Sequence, residues 1–310
     1  MVARVLAIAL NTYREAVRAK LLLSMLGLAL ATSAYSVILG TLSLHHEARV
    51  VADVGAASTS FYAVVTAIVM GATSLYREIE LKTIFPMLAR PLRRYEYLLG
   101  KYLGTMGTLS AFVLIDLGLV LALLAVEAGA SPLVVGGAAF GMLVVLGLLL
   151  WRARRWRVYV ALPWCVALVA VMTPLAAPAG PDRQLVLLSA VLTLSEAAII
   201  AAVALLFSSF SSPFLTAVFT LGIFLTGRSS DTLAHMPDKV FGKALHDIGV
   251  AWTRVFPNLQ MYVPPRALLV GDVSTISLRG FMVESVAHAV VYTAGLLIAA
   301  AVIFQRRDFQ

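Results

Sequence analysis

Long uncharged apolar runs alternate along the chain with short charged segments. Runs that approach about 20 residues can cross about 30 Å of hydrocarbon as helices. The pattern therefore predicts an all-α, polytopic membrane protein with about eight transmembrane helices. The predicted spans are Leu21–Leu44, Ser58–Tyr76, Tyr102–Val126, Pro132–Leu150, Val158–Ala177, Leu185–Phe207, Pro213–Thr226 and Phe281–Phe304. The seventh is short, so it either extends into its flanks or forms a half-span, and the fourth and fifth could instead form one re-entrant pair.

Composition supports the membrane prediction. Apolar residues make up 61% of the 310-residue chain, charged residues 13%, and the mean hydropathy is +0.92. These values exclude an ordinary soluble enzyme. The run that begins at Leu21 is longer than the apolar region of a cleaved signal peptide, so we expect an uncleaved first span. The single cysteine, Cys165, permits no intrachain disulfide, and we interpret it as a packing residue.

The distribution of charge predicts the orientation. If the N-terminus is inside, sixteen of the 24 lysines and arginines fall on the cytoplasmic side, as the positive-inside rule requires. We therefore expect both termini to be cytoplasmic, in the plasma (inner) membrane. The loop with Arg152, Arg154, Arg155 and Arg157 suits an anionic leaflet, and nucleic acid is not an expected partner.

The first 20 residues predict an amphipathic helix that lies on the membrane. Arg4, Asn11, Arg14 and Arg18 share one helical face. Val2, Leu6, Ala9, Tyr13 and Val17 cover much of the other face. Such a helix places its apolar face in the interface between headgroups and acyl chains.

The segment between the second and third spans is both charged and apolar. Glu78 and Lys82 are spaced to pair on a helix that Pro86 should interrupt. Ile79, Ile84 and other apolar residues make this segment unlike a flexible linker. We interpret residues 77–97 as a short cytoplasmic helix with a surface for a partner protein.

Motifs for several enzyme classes are missing from the sequence. There is no Gly-x-x-x-x-Gly-Lys-Ser/Thr for ATP, no His-Glu-x-x-His for zinc and no Gly-x-Ser-x-Gly for a hydrolase. We therefore predict no catalytic residue, no metal site and no cofactor in this chain.

Three acidic residues fall within predicted spans, and an intramembrane carboxylate is a functional hypothesis. They are Asp116, Glu196 and Glu284, and His288 follows Glu284 by one helical turn. Asp116 and Glu196 could instead form hydrogen bonds across helices to serines or threonines. Glu284 and His288 could form a proton or cation relay, or play a structural role near the outer end of the last span.

Several segments resemble the permease subunits of type 2 ABC exporters, in particular the group that includes the nitrous-oxide-reductase maturation permease. The resemblance covers roughly residues 1–126 and 190–310. It is carried by Asn11 to Arg18, by the loop from Arg77 to Gly104, by the serine turn Ser208 to Pro213, by Phe256-Pro257-Asn258-Leu259 and by Phe304 to Phe309.

The resemblance implies a single permease domain over residues 1–310. Residues 1–20 would be a connecting helix on the membrane, and residues 77–97 a coupling helix inserted into a separate ATPase subunit that binds ATP and Mg. Such permeases work as homodimers or heterodimers. The ATPase-coupling residues would be Arg77, Glu78, Glu80, Lys82, Thr83, Ile84, Phe85, Arg90 and Pro91.

One region is not explained by the six spans usual in that family. Residues 132–178 would be an extra helix pair with no assigned role. Residues 227–280 would form external interfacial helices, with Trp252, Phe256 and Tyr262 at the headgroup level. They could cap the path or bind a periplasmic or extracellular partner.

Two other functions stay open at this point. A proton- or ion-coupled secondary transporter would use Asp116, Glu284 and His288 and need no ATPase. A non-transporting scaffold would pass ATP-driven motion to an external partner through residues 227–280. The sequence does not identify a substrate.

The charge pattern makes a direct prediction about topology. A cysteine introduced as Ala153→Cys should resist an impermeant thiol reagent added to intact cells and react once the membrane is opened, because four arginines flank it. Labelling in intact cells would contradict the fourth and fifth spans.

Overall fold

The computed structural model describes residues 1–43, 46–80, 93–153, 157–230, 256–264 and 278–306. Within these ranges the chain forms nine α-helices, two short 3-10 turns and no strand, which confirms the all-α prediction for this part of the chain. The helices are α1 Val2–Arg18, α2 Lys20–Thr41, α3 Glu47–Glu80, α4 Arg94–Glu127, α5 Pro132–Arg152, α6 Arg157–Leu175, α7 Pro181–Ser208, α8 Pro213–Arg228 and α9 Leu278–Arg306. The 3-10 turns are Ala177–Ala179 and Gln260–Tyr262.

Six helices are long and apolar enough to cross a membrane, so the chain is a multi-pass membrane protein. The six segments are Leu22–Thr41, Glu47–Thr73, Arg94–Glu127, Pro132–Arg152, Pro181–Ser208 and Arg279–Arg306. Two shorter apolar helices, Tyr159–Leu175 and Pro213–Arg228, account for the fifth and seventh predicted spans.

Proline marks the start of three of these helices. Pro132, Pro181 and Pro213 each occupy the first helical turn, where the missing N–H would have had no helical acceptor. At α8 the Ser212 side chain also accepts a hydrogen bond from the backbone N–H of Leu215. The turn before α7 ends at Gly180, whose φ of 53° is a left-handed conformation that favours glycine.

The centre of the bundle consists of α3, α4 and α7, which pack against one another. Small residues allow this close approach. A Cβ on Gly71 of α3 would overlap the Cβ of Ala204 on α7, and one on Gly55 would come within 2.7 Å of Val120 on α4. Around this centre, α2 packs on α3 and α4, α8 on α3 and α7, and α9 on α4 and α7.

The predicted extra pair, residues 132–178, forms α5 and α6 at the periphery. α6 packs on α4, where a Cβ on Gly118 would come within 2.6 Å of Leu168. The indole N–H of Trp164 donates to the carbonyl oxygen of Met142 at 2.8 Å and ties α6 to α5. α5 alone is long enough to cross a membrane, which favours separate helices over the re-entrant alternative.

The predicted amphipathic helix is present as α1, but its apolar face is divided between two surroundings. Val5, Ala9, Thr12 and Tyr13 are buried against α4, whereas Val2, Leu6 and Leu10 are exposed. The arginines of α1 occupy the remaining exposed side. The prediction of a single membrane-facing apolar surface was therefore wrong for Ala9 and Tyr13. Hydropathy alone does not show whether an apolar side chain contacts lipid or a neighbouring helix.

The α1–α4 contact depends on two glycines of α4. A Cβ on Gly104 would come within 2.5 Å of the Ala9 carbonyl oxygen, and one on Gly100 within 2.6 Å of the Ile8 Cβ. We therefore expect Gly104→Ala to destabilise the protein by about 1–3 kcal/mol. Gly107→Ala is the matched control in the same helix, because its Cβ would meet only the Tyr13 ring at 3.6 Å.

Thermal unfolding in detergent measures both variants. A Gly104→Ala protein with the stability of the Gly107→Ala protein would show that α1 is not held closely against α4.

Candidate functional site

The two ends of the stretch predicted to couple to an ATPase belong to two long helices. α3 continues without a break through Arg77, Glu78 and Glu80, and α4 begins at Arg94. Residues 77–80 and 94–97 of the predicted coupling helix therefore belong to α3 and α4. Lys82, Thr83, Ile84, Phe85, Arg90 and Pro91 lie outside the described residues.

The start of α4 is bonded to its own first turn and lies against α1. The Glu96 carboxylate accepts a hydrogen bond from the backbone N–H of Arg93 at 3.3 Å, which satisfies a donor at the helix start. The same carboxylate is buried and lies 3.7 Å from the Arg4 guanidinium of α1. α1 therefore contacts α4 immediately after the coupling stretch.

The start of α4 also caps the end of α9. The Arg94 guanidinium donates to the carbonyl oxygens of Phe304 at 3.0 Å and Gln305 at 2.9 Å. A cation is favourable there because the last carbonyls of a helix carry partial negative charge. The rings of Tyr97 and Phe304 stack with centroids 6.2 Å apart. One end of the bundle thus joins α1, α4 and α9.

Asp116 lies at the meeting point of α2, α3 and α4, and none of its surface is exposed. Ser33 of α2 donates to Oδ1 at 3.1 Å, and Thr59 of α3 donates to Oδ2 at 2.6 Å. The Ser58 hydroxyl lies 2.9 Å from that of Ser33. Asp116 thus makes the hydrogen bonds to hydroxyls that the sequence left as one of two alternatives.

Glu196 of α7 forms a second buried polar group. Its side chain has no exposed surface, and Oε1 lies 2.8 Å from a guanidinium nitrogen of Arg228 at the end of α8. Ser60 of α3 donates to Oε2 at 3.2 Å. The ion pair therefore connects α7 to α8, and the hydroxyl adds α3. Arg228 lies 32 residues from Glu196 along the chain, so sequence spacing could not indicate that the two side chains pair.

α8 ends inside the bundle, and the segment 256–264 covers its end. At 16 residues α8 is about 24 Å long, less than the roughly 30 Å of the hydrocarbon. The backbone N–H of Leu259 donates to the Gly227 carbonyl at 3.0 Å, and Ser230 donates to the Asn258 side chain at 2.7 Å. Gly227 makes this possible, because a Cβ there would come within 2.8 Å of the Pro257 carbonyl oxygen. The segment 256–264 therefore packs on the end of α8, and residues 231–255 between them lie outside the described residues.

The same segment reaches α9 through Tyr262. Its hydroxyl oxygen lies 2.9 Å from Nδ1 of His288 and 3.3 Å from the carbonyl oxygen of Ser285. The sequence predicted a position for Tyr262 at the headgroup level, and in the structure its side chain is buried against α9. Trp252 lies outside the described residues.

Glu284 and His288 share α9 but have different surroundings. Glu284 is exposed, while His288 is half-buried and lies against Tyr262 and, at 5.7 Å between ring centroids, Tyr292. Among the hydrogen bonds of the described residues, none joins Glu284 to His288. A relay between these two side chains gains no support from this geometry.

Sequence reasoning did not identify a polar site at the other end of the bundle. Arg49 at the start of α3 bonds Asp182 at the start of α7 at 2.5 Å and lies 3.4 Å from Asp53. Arg49 and Asp182, with Glu47 and Glu127, line a polar pocket of about 540 Å³. The sequence did show that each of these charged residues flanks an apolar run and so lies near a helix end. It does not show which helix ends become neighbours in the fold.

In the part of the chain that the structure describes, no three His, Cys, Asp or Glu side chains come together to hold a metal ion. No protein-family model matches the chain, and no curated protein matches it either.

The Glu196–Arg228 pair makes a testable prediction. Glu196→Leu alone should destabilise the protein by about 2–3 kcal/mol, because it leaves the Arg228 guanidinium without its buried carboxylate. The double variant Glu196→Leu with Arg228→Leu should recover most of that loss. A thermal-unfolding cycle of the four proteins measures the coupling, and strictly additive losses would argue against the ion pair.

Proposed function

We propose that the chain is the permease subunit of an ATP-driven transporter, an exporter of the type 2 ABC class. A separate cytoplasmic ATPase subunit binds ATP and Mg, and two permeases, either two copies or this chain with a relative, enclose the path. The chain itself is not an enzyme. Both termini then lie in the cytoplasm. The protein crosses the plasma membrane eight times, and the segment 256–264 contributes to the seventh crossing together with α8.

The charges at the two ends of the bundle support this orientation. Arg4, Arg94, Lys101 and Arg306 lie at the end that carries α1, together with the other basic residues of α1. The opposite end carries Glu47, Asp53, Glu127 and Asp182 around Arg49. An excess of cations at the α1 end fits a cytoplasmic position for that end.

The observation that carries the proposal is the position of the coupling stretch between α3 and α4. Both helices have 34 residues, which corresponds to about 50 Å, and they run the length of the bundle. The 13 residues between Glu80 and Arg94 connect their ends. A protein that moves this stretch would therefore move two central helices directly.

Contacts of α3 and α4 carry such a movement to the other helices. α4 is packed on α1 through Gly100 and Gly104 and bonded to α9 through Arg94. Farther along, hydrogen bonds to Asp116 of α4 connect it to α2, and hydrogen bonds to Glu196 connect α3 to α7 and α8. A switch between two packed arrangements of these helices is the physical basis expected for alternating access.

The helix arrangement supports the six-span likeness. Without α5 and α6, which pack on the outside of α4, the spans α2, α3, α4, α7, α8 and α9 still form one connected bundle. The role of the extra pair stays open.

A secondary transporter fits the site less well. Asp116 and Glu196 are fully buried, and each is bonded within the bundle. Glu284 is exposed and does not meet either of them in the described structure. These acids contribute to helix packing more clearly than to an ion path.

The experiment compares two charge-reversed variants. Glu78→Lys with Glu80→Lys should reduce recovery of the ATPase subunit on affinity purification from native membranes, and reduce stimulated ATP turnover, by about tenfold, because two charges at the coupling stretch are reversed. Glu47→Lys with Glu127→Lys, at the opposite end of α3 and α4, is the matched control and should leave both unchanged.

Transport into or out of proteoliposomes then separates a permease from a scaffold that acts on an external partner. Unchanged ATPase recovery and turnover in the Glu78 and Glu80 double variant would contradict the proposed coupling role. An active protein that purifies without any ATPase and responds to an ion gradient would support the secondary transporter.

A further inference from the structure

One row of side chains along α1 is exposed over the whole length of the helix. Its members are Val2, Leu6, Leu10, Arg14 and Arg18, which follow one another at intervals of four residues and are all exposed. Residues four apart are neighbours on a helix surface. The row therefore changes from apolar to cationic halfway along α1.

The row winds away from the side of α1 that packs on α4. Val5, Ala9 and Tyr13 are buried on that side. Four residues of a helix turn through about 400°, so each member of the row is rotated by about 40° from the one before. The apolar members thus flank the contact with α4, and the two arginines lie on the side that faces away from it.

The connection to α2 holds the cationic half of the row close to the membrane surface. α1 ends at Arg18, Ala19 is extended, and α2 begins at Lys20. The segment that can cross the membrane starts at Leu22, four residues after Arg18, which is at most about 14 Å of chain. The end of α1 is therefore close to the lipid headgroups, and Lys20 adds a third exposed cation there.

Within the described residues, these cations are not neutralised by the protein. At the other end of α1, Arg4 lies 3.7 Å from the buried carboxylate of Glu96. In contrast, none of the ion pairs among the described residues includes Arg14 or Arg18. The one acidic residue of α1, Glu15, accepts a hydrogen bond from an amide side chain of the same helix at 3.1 Å. The end of α1 thus presents net positive charge to its surroundings.

An anionic phospholipid matches both halves of the row. Acyl chains cover exposed leucines such as Leu6 and Leu10 on a helix that lies in the membrane interface. The arginine stems can follow the apolar surface and carry the guanidinium groups to the phosphates. A zwitterionic headgroup offsets its phosphate with its own cation. Each Lys or Arg near a net negative surface, however, strengthens binding by about five-fold.

We propose that the row from Leu6 to Arg18 on α1 binds anionic phospholipids, with the leucines against acyl chains and Arg14, Arg18 and Lys20 at the phosphates. This lipid site is independent of the transporter function proposed above, because it depends only on the faces of α1 and on its connection to α2.

The test uses the full-length protein, without an ATPase, in vesicles that contain phosphatidylglycerol or phosphatidylcholine with a diazirine close to the ester of one acyl chain. After illumination, mass spectrometry locates the adducts. The ratio of phosphatidylglycerol to phosphatidylcholine adducts on residues 6–18 should be about ten times the ratio on residues 132–137 of α5. That segment is the internal reference, because it is uncharged and largely exposed.

Two variants and a change of salt test the role of charge. Arg14→Gln with Arg18→Gln should reduce the preference for phosphatidylglycerol on α1 by about five-fold or more. Arg14→Lys with Arg18→Lys is the matched control and should keep the preference within about two-fold. About 1 M salt should also lower it in the wild-type protein, because the Debye length falls to about 3 Å. The salt test needs no variant and does not depend on folding.

Three results would overturn the proposal. The first is a wild-type adduct ratio on α1 equal to that on the α5 reference. The second is a preference that the lysine variant loses as fully as the glutamine variant. The third is an unchanged lipid preference in the glutamine variant together with loss of a co-purifying protein from native membranes, which would assign the arginines to a protein partner.

Discussion

Close contact between the backbones of α3, α4 and α7 is the constraint on which the other contacts depend. Hydrocarbon surrounds the bundle, so burying an apolar side chain between helices gains little, and association relies on close packing. Gly71 against Ala204 and Gly55 against Val120 provide that packing. It brings the short hydroxyl side chains of α3 within hydrogen-bonding distance of Asp116, and likewise of Glu196. Bulkier residues at the glycines would separate these groups and remove the donors that α3 contributes to the two carboxylates.

Much of the helical architecture could be predicted from hydropathy alone. Every predicted span coincides with an apolar helix, because a run without charges must be helical to satisfy its backbone in lipid. Helix ends were less predictable: α3 includes the charged residues 77–80, beyond the predicted span that ends at Tyr76, because a helix does not have to stop where the apolar run stops. The two faces of α1 were also unpredictable, because Ala9 and Val2 look alike in sequence although only one meets α4.

For the buried polar contacts, the sequence indicated one partner but not the other. Asp116 and Glu196 stood out because charge is rare in apolar runs. Their partners did not, since Ser33, Thr59 and Arg228 come from separate helices whose neighbours depend on tertiary packing. The Arg49–Asp182 pair was missed for the same reason. Tyr262 was expected at the headgroup level because aromatic residues are enriched at membrane interfaces, yet its side chain is buried in the protein and bonded to α9.

The shortness of α8 has a consequence for its response to the bilayer. A spanning helix of 16 residues would be several ångströms shorter than the hydrocarbon. The last turn of α8 is instead bonded to Glu196 and to the segment 256–264. Protein groups rather than lipid headgroups therefore fix the depth at which α8 ends. A change in the acyl-chain length of the host lipid should act less on α8 than on the long helices at the surface of the bundle.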